Sequence, residues 1–195
     1  MSALPVEPFV QVDPWAALAH LDHDPALDSW RAELIEGQIS LTPPPVPEHE
    51  RIVTGFTKQL ARHDTDDELT YWSGGSGLRT GNGTGVKPDI LVTDDDAFCD
   101  TDAEYNPADG EPIHLVVEVT SASTRDKDYR EKMRAYAAAR IPHYLIIDRQ
   151  ERICRLYSLV DGAEAYGPPQ AKADFGEPLR LPAPLNFSLD TSRFA

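Results

Sequence analysis

Three stretches of the chain have features that are typical of helices: boundary residues in the first, and apolar residues one turn apart in the other two. Asp13 followed by Pro14 matches an N-cap residue with proline at the first helical position, which predicts a short N-terminal helix over residues 13–22. In residues 48–63, and again from about 124 to 140, apolar side chains recur one helical turn apart. The pattern therefore predicts two amphipathic helices in the body of the chain.

Shorter apolar runs predict strands before and after the last of these helices. Two runs about a Glu36–Gly37 turn predict a hairpin, and residues 86–93 and 113–120 have the apolar character of buried strands. The segments "HYLIID" and "RICRLYSL" predict two more strands. Strands, then a helix, then strands again indicate an α/β domain with one mixed central β-sheet and helices on its faces.

The length of the chain favours one domain. With 195 residues, of which 41% are hydrophobic, the chain can bury one sizeable core, so we expect a single domain over residues 1–195. We expect the core of this domain at about residues 31–160. The proline-rich remainder, residues 161–195, is expected to be irregular and to end in a short edge strand.

The formal net charge of −15 opposes non-specific attraction to nucleic acid, because proteins usually bind phosphate backbones through Lys and Arg. The acidic residues are concentrated in the stretch 94–111, which contains no Lys or Arg. Residues 125–155 have more Lys and Arg than Asp and Glu, so the sequence is compatible with a local basic face.

The N-terminal sequence "MSALPVEPFV" has neither the basic lead nor the long apolar run of a signal peptide, and no apolar stretch approaches membrane-spanning length. We therefore expect a cytoplasmic protein with no membrane contact. Cys99 and Cys154 fit neither a disulfide framework nor the spacing of metal ligands, so we expect two free thiols.

Two of the predicted strands each contain one carboxylate, Asp89 directly after a proline and Glu118 inside an apolar run. Side chains alternate along a strand, which puts Asp89 on the face of Lys87 and Glu118 on the face of Thr120. If the strands are neighbours, the two carboxylates converge, and such a pair is costly unless it shares a proton or binds a cation. Oxygen ligands suit magnesium or manganese. Taken singly, an aspartate that caps a strand and a glutamate on a solvated face explain these residues as well.

The helix that follows Glu118 brings a lysine toward this pair. At 100° per residue, Asp128 and Lys132 lie on one flank of the buried stripe, while Lys127 projects away from it. The amine of Lys132 can then bend toward the preceding strand. Its stem could equally cover apolar surface while the amine stays in water. Lys87 is the second candidate for the amine.

The chain resembles the Uma family of nucleases, within the restriction-endonuclease-like, PD-(D/E)xK superfamily, in four segments. These are "AELIEGQISLTPPPVPEHERI", "VKPDILV", "HLVVEVTSASTRDKDYREKMRAYAAARIPHYLIID" and "RICRLYSL". The resemblance covers roughly residues 31–160 and is strongest at 113–148. It implies a restriction-endonuclease-like core and an endonuclease that hydrolyses DNA phosphodiester bonds with Mg²⁺ or Mn²⁺. The superfamily also makes a homodimer reasonable.

The resemblance assigns roles position by position. Asp89 resembles the aspartate of the PD motif and Glu118 the acid of the second motif, so both are expected to bind the metal. The superfamily lysine is expected two residues after the glutamate, where this chain has Thr120. In Uma relatives the lysine comes from the following helix, which matches Lys132. Glu33 resembles an additional N-terminal acid that completes the metal shell or holds the lysine by a salt bridge.

These residue types suit the implied chemistry. A divalent ion between two carboxylates polarises a phosphate and lowers the pKa of a bound water, and an ammonium orients that water or stabilises charge on the phosphate. Asp128 matches a family position one turn before the lysine. His49, in "PEHE", matches another, and no role for it follows from the sequence.

Two other interpretations stay open. The acidic composition and Thr120 are compatible with a catalytically silent protein that uses the nuclease fold for binding or oligomerisation. The residues Asp100, Asp102, Glu104 and Glu111 have an EF-hand-like spacing, although Tyr105 stands where such a calcium loop needs glycine. A solvated acidic loop explains that stretch better.

Overall fold

The computed structural model describes residues 13–98, 101 and 103–194. In chain order the elements are α1 (Pro14–Asp22), β1 (Arg31–Ile35), β2 (Gln38–Thr42), α2 (Pro47–His63), β3 (Leu69–Ser73), β4 (Gly77–Arg79), β5 (Gly85–Val86), β6 (Ile90–Asp94), β7 (Tyr105–Pro107), β8 (Ile113–Val119), α3 (Arg125–Lys127), a π-helical segment (Asp128–Lys132), α4 (Met133–Ala138), β9 (His143–Asp148), β10 (Ile153–Ser158), β11 (Ala171–Asp174), β12 (Pro178–Arg180) and β13 (Ser188–Asp190). Short 3₁₀ turns span Pro25–Leu27 and Ser192–Phe194. No helix in the described part of the chain has both the length and the apolar character needed to cross a membrane.

The central sheet has six strands in the order β11-β10-β9-β8-β6-β3. The neighbours β8 and β9 are parallel, and all other neighbouring pairs are antiparallel. One face of this sheet packs against α2 and the other against α4. The structure therefore confirms the predicted α/β class, with a mixed central sheet flanked by helices.

The hydrophobic core has two layers, one on each face of the central sheet. Ile52, Phe56 and Leu60 of α2 are fully buried in the same cluster as Val117 of β8, which confirms the helix predicted from their one-turn spacing. Tyr136 of α4 is fully buried on the opposite face. Because side chains alternate along β8, this strand contributes to both layers.

A second sheet has the order β2-β1-β5-β4-β7, and α1 packs on β1 through the buried Leu18. The sequence analysis was wrong to treat residues 86–93 as one strand of a single sheet. The chain leaves the second sheet after β5 and enters the central sheet at β6, and residues 87–89 between them form no strand. Pro88 has no N–H to donate to a strand ladder, which favours a break at this point.

The C-terminal part of the chain is more regular than the sequence analysis predicted. Instead of an irregular tail over residues 161–195, β11 extends the central sheet beside β10, and β12 pairs with β13. Six buried apolar side chains from this region complete the core layer that contains α2: Ala173, Leu179, Leu181, Phe187, Leu189 and Phe194.

Some sequence expectations concern residues outside the described ranges. Cys99, Asp100 and Asp102 are among them, so the spacing of the calcium-loop alternative has no structural counterpart here. Glu104 does lie in the described part, and its Oε1 accepts a hydrogen bond from Lys87 at 3.1 Å. Cys154 is a buried free thiol, as expected.

The helix after β8 contains one turn that is wider than an α-helical turn. Its first part, α3, leads into the π-helical segment, in which backbone bonds span five residues instead of four. Residues five apart therefore lie above one another, and Lys127 stands on the same side as Lys132. The prediction that Lys127 projects away from the site, made at 100° per residue, is wrong for this reason.

Candidate active site

A cavity of about 520 Å³ opens where β1 of the second sheet faces the start of β6, the end of β8 and the π-helical segment. These four elements place five buried ionisable side chains around the cavity, none more than 3% exposed: Glu33, Asp89, Glu118, Asp128 and Lys132. The structure thus brings together the four residues predicted as catalytic, together with Asp128.

Asp89 lies directly before β6 and is held by three hydrogen-bond donors. Arg31 Nη1 donates to Oδ1 at 2.7 Å, His49 Nε2 donates to Oδ2 at 3.0 Å, and the backbone N–H of Val119 donates to Oδ2 at 2.7 Å. Burial favours the neutral acid, but the His49 hydrogen bond and the Arg31 charge outweigh it and hold the pKa of Asp89 well below its ordinary value. The carboxylate of Asp89 is therefore ionised.

Glu118 lies on β8 one residue beyond Val117, whose pairing partner on β6 is the residue after Asp89. Its Oε1 accepts hydrogen bonds from Lys132 Nζ at 2.9 Å and from the Tyr136 hydroxyl at 2.5 Å. Burial raises the pKa of Glu118 well above its ordinary value, and the nearby negative charges add to this effect against the opposing charge of Lys132. In this site Glu118 holds its proton more tightly than Asp89 does.

Lys132 connects the central sheet with the second sheet. Its Nζ lies 2.9 Å from Glu118 Oε1, 2.9 Å from Glu33 Oε1 and 3.8 Å from Asp128 Oδ1. Burial disfavours the ammonium, but the surrounding carboxylates outweigh burial and raise the pKa of Lys132 above its ordinary value. Lys132 is therefore a charged ammonium enclosed by acids.

Glu33 is the contribution of β1 to the cavity. Besides its contact with Lys132, its Oε1 accepts a hydrogen bond from the backbone N–H of Lys87 at 2.9 Å. This second bond ties β1 to the chain segment just before Asp89. Glu33 therefore positions the lysine and joins the two parts of the site.

Asp128 is the least satisfied of the four carboxylates. Both of its oxygens are buried, and neither makes a hydrogen bond of good geometry among the described residues, although the nearby Thr124 hydroxyl favours the charged form. Burial raises the pKa of Asp128 to about 7, despite the opposing charge of Lys132. Its buried oxygens are the kind of unsatisfied acceptors that a cation or a proton stabilises.

Comparison with known protein families supplies an independent observation. A sequence model of the Uma2 family, described as "Putative restriction endonuclease", matches residues 15–192. The chain belongs to the Uma2 family. This confirms the resemblance stated from the sequence, and the match also includes the N-terminal helix and the C-terminal strands.

The fold of this Uma2 family member has a solved counterpart. It is similar to the "crystal structure of a putative nuclease belonging to DUF820 from Anabaena variabilis ATCC 29413", with a TM-score of 0.64 and 14% sequence identity. The similarity covers 84% of this chain and 88% of that chain. At this level of identity it shows a shared fold. The comparison with curated proteins gave no significant match.

The sequence analysis missed two partners in the Uma2 site and gave a third no role. Arg31 was overlooked, although it stands two residues before Glu33 on the same strand and therefore on the same face. Tyr136 was not among the predicted site residues, yet its hydroxyl donates to Glu118. His49, for which no role followed from sequence, donates to Asp89.

The two alternative lysines have other partners. Lys87 Nζ lies 3.1 Å from Asp22 Oδ1 and 3.1 Å from Glu104 Oε1, on the side of the cavity formed by α1 and the acidic loop. Lys127 Nζ donates to Ser40 Oγ at 2.7 Å and lies 3.9 Å from Glu33 Oε2. Lys132 is thus the lysine in contact with Glu118.

The charges of the site do not balance without an additional positive species. Four buried carboxylates face Arg31 and Lys132, and a third cation, Lys127, lies at the edge of the site 3.9 Å from Glu33 Oε2. Bound protons or a divalent cation would restore the balance. Among the residues that the structure describes, no group of three or more His, Cys, Asp or Glu side chains is arranged to hold a metal ion. The oxygens of Asp89 and Glu118 contact protein donors instead.

Proposed function

We propose that this Uma2 family member is a metal-dependent endonuclease that hydrolyses DNA phosphodiester bonds. The observation that supports this proposal most is the enclosure of one charged lysine, Lys132, between two acids at the floor of a large open cavity, with an ionised aspartate beside them. Membership in a family described as "Putative restriction endonuclease" supports the same reaction class.

The donor chemistry fits a hard divalent cation. Asp89 and Glu118 offer carboxylate oxygens, and the excess of buried acid favours a cation over a further neutral group. We propose that these two residues hold Mg²⁺ or Mn²⁺, which when bound polarises the phosphate and lowers the pKa of a coordinated water. The contacts of Arg31 and Lys132 with the two carboxylates would have to open to make room for this ion.

The remaining residues position the groups that react. Lys132, released in part from Glu118, would donate to a phosphate oxygen and stabilise the negative charge that develops on it. Glu33 keeps the lysine at this place through its 2.9 Å contact. His49 and the backbone N–H of Val119 fix the carboxylate of Asp89, so that its orientation does not depend on the ion.

The test is cleavage of supercoiled plasmid and of circular single-stranded DNA at low salt, where phosphate attraction is least screened, with Mg²⁺ or Mn²⁺. We expect cleavage with wild type, loss of it in Glu118→Gln and Lys132→Met, and retention in Lys127→Met, a lysine of the same helix. Folded wild-type protein that cleaves neither substrate with either metal would contradict the proposal.

The silent binding module is the second candidate, and one observation favours it. Both oxygens of Asp89 and one oxygen of Glu118 already bond to protein groups, so the site is internally satisfied at the positions a metal needs. Calorimetry with Mn²⁺ separates the two candidates. A silent module gives no binding that depends on Asp89 and Glu118, whereas the enzyme loses its binding in the Asp89→Asn variant.

A further inference from the structure

Trp30 lines the active-site cavity, and its indole ring has no partner among the described residues. It is 42% exposed and lines the cavity directly before β1. The other two tryptophans have partners: Trp15 stacks edge-on against Tyr105, and Trp72 donates to Thr93 Oγ1. Within the described residues, the indole of Trp30 makes no ring contact and no hydrogen bond.

The backbone holds Trp30 in a fixed place despite this exposure. Its N–H donates to the carbonyl of Leu27 at 2.7 Å, which joins it to the preceding 3₁₀ turn. The next residue, Arg31, begins β1. Trp30 therefore directly precedes this strand in the chain, and the guanidinium of Arg31 contacts the ionised carboxylate of Asp89.

The charge of the cavity indicates what kind of affinity it can offer. Among the described residues, eight carboxylates line the cavity against three Lys and Arg side chains. Such a surface repels a phosphate backbone, so counterion release by basic groups cannot supply most of the binding energy. Stacking of a base on an aromatic ring is independent of phosphate charge and tolerates any base sequence.

The active-site cavity continues into a second cavity beside Asp89. This second cavity has a volume of about 100 Å³ and shares Arg31, His49 and Asp89 with the first. It is also lined by Thr54 and Thr57, which do not line the first cavity, and by Glu50, which lines both. The two cavities therefore form a continuous path past Asp89, with Trp30 lining the first and Thr54 and Thr57 lining the second.

We propose that Trp30 is a stacking platform for an unpaired base of single-stranded DNA whose backbone crosses Asp89 along this path. In a duplex the base faces are covered by their neighbours and only the edges are accessible, so the ring can stack only on an unpaired base. This inference rests on the proposed nuclease function, because it names the substrate class of that site.

The experiment measures binding of a fluorescein-labelled oligothymidylate of about twelve nucleotides, a length within the usual site size of single-strand binding folds. Binding is measured with Mn²⁺ in the Lys132→Met background, which prevents cleavage, and with unmodified wild type in EDTA. Trp30→Ala should weaken binding about ten-fold, the effect of losing one stacked base, and Trp30→Phe should restore most of it. Leu41→Ala is the matched control, since Leu41 is a 39% exposed side chain of the same hairpin that does not line the cavity.

Two further measurements separate stacking from a structural role. An abasic oligonucleotide of the same length should bind wild type as weakly as oligothymidylate binds Trp30→Ala. Oligothymidylate should also quench tryptophan emission in wild type and leave it unchanged in Trp30→Phe. Equal affinity of Trp30→Ala and wild type for oligothymidylate, or duplex that binds as tightly as single strand, would overturn the inference.

The inference and the proposed function can fail separately. If wild type and Trp30→Ala cleave DNA equally well, the nuclease function stands and the stacking platform is refuted. If no DNA is cleaved but oligothymidylate binds in a Trp30-dependent way, the stacking site stands and the protein is a binding module.

Discussion

Replacing Lys132 by methionine tests how far the buried acids depend on one ammonium. The exchange keeps the apolar stem and removes the charge that lies 2.9 Å from both Glu33 and Glu118. Among the described residues, Lys87 is paired with Asp22 and Glu104, and Lys127 lies 3.9 Å from Glu33 and contacts neither oxygen of Glu118. The folded variant must therefore take up one additional proton to avoid a bare buried charge.

The cost of this proton can be calculated. A glutamate in the unfolded chain has a pKa of about 4.3, and each pH unit above it adds about 1.4 kcal/mol to the cost of protonation. The variant should therefore lose about 4 kcal/mol of unfolding free energy at pH 7 and about 1 kcal/mol at pH 5. Because the folded variant binds more protons than the unfolded chain, its stability falls as the pH rises.

Urea denaturation in EDTA at several pH values between about 5 and 8 measures this loss relative to wild type. Lys127→Met is the control: its amine is half-buried and contacts Ser40, so it should cost about 1 kcal/mol or less at any pH in this range. A Lys132→Met loss that does not change with pH, or that is no larger than the Lys127→Met loss, would refute the reasoning.

Three further predictions follow from the structure. Arg31→Met should increase the Mn²⁺ affinity measured by calorimetry, because the guanidinium that competes for Asp89 at 2.7 Å is removed; an unchanged or weaker affinity would contradict this. In wild type, Mn²⁺ affinity should rise with pH between 5 and 8, because a cation at Asp89 and Glu118 opposes protonation of Glu118, whose pKa is raised, and of the neighbouring Asp128, whose pKa is raised to about 7; a flat profile over this range would be the opposite outcome. Gly85→Ala should destabilise the fold by about 1–3 kcal/mol in thermal or urea unfolding, because the added Cβ would meet a tryptophan ring at 2.8 Å, whereas Gly75→Ala, with open space around it, should cost less than about 0.5 kcal/mol.

The parts of the fold that the sequence predicted are those in which local spacing decides the outcome. The helix over residues 48–63 follows from apolar side chains one turn apart, and the strand around Glu118 follows from its apolar run. Asp89 and Glu118 converge only if their segments are neighbours in the sheet. No local sequence pattern shows which segments are neighbours. The family resemblance made that condition plausible, and the pairing of β6 with β8 provides it.

What the sequence did not predict depends on long-range packing or on unusual backbone. The division into two sheets results from a break at residues 87–89, where the apolar pattern continues through a proline without interruption. Arg31 became a partner of Asp89 only because β1 lies across the cavity from β6. The buried C-terminal strands were hidden by a high proline content, which indicates an irregular backbone but gives no information on burial.

The π-helical segment makes the geometry of the site depend on the number of residues in one turn. Wound as an ordinary α-helix, the same residues of Asp128–Lys132 would turn about 100° further than they do in this wide turn. The part of the helix before this segment would then rotate by about 100° relative to α4, which is anchored in the core through Tyr136. The side chain of Asp128 would leave the cavity although no residue that contacts the acids had been exchanged. The spacing along this turn is thus as strict a requirement as the identity of the lysine itself.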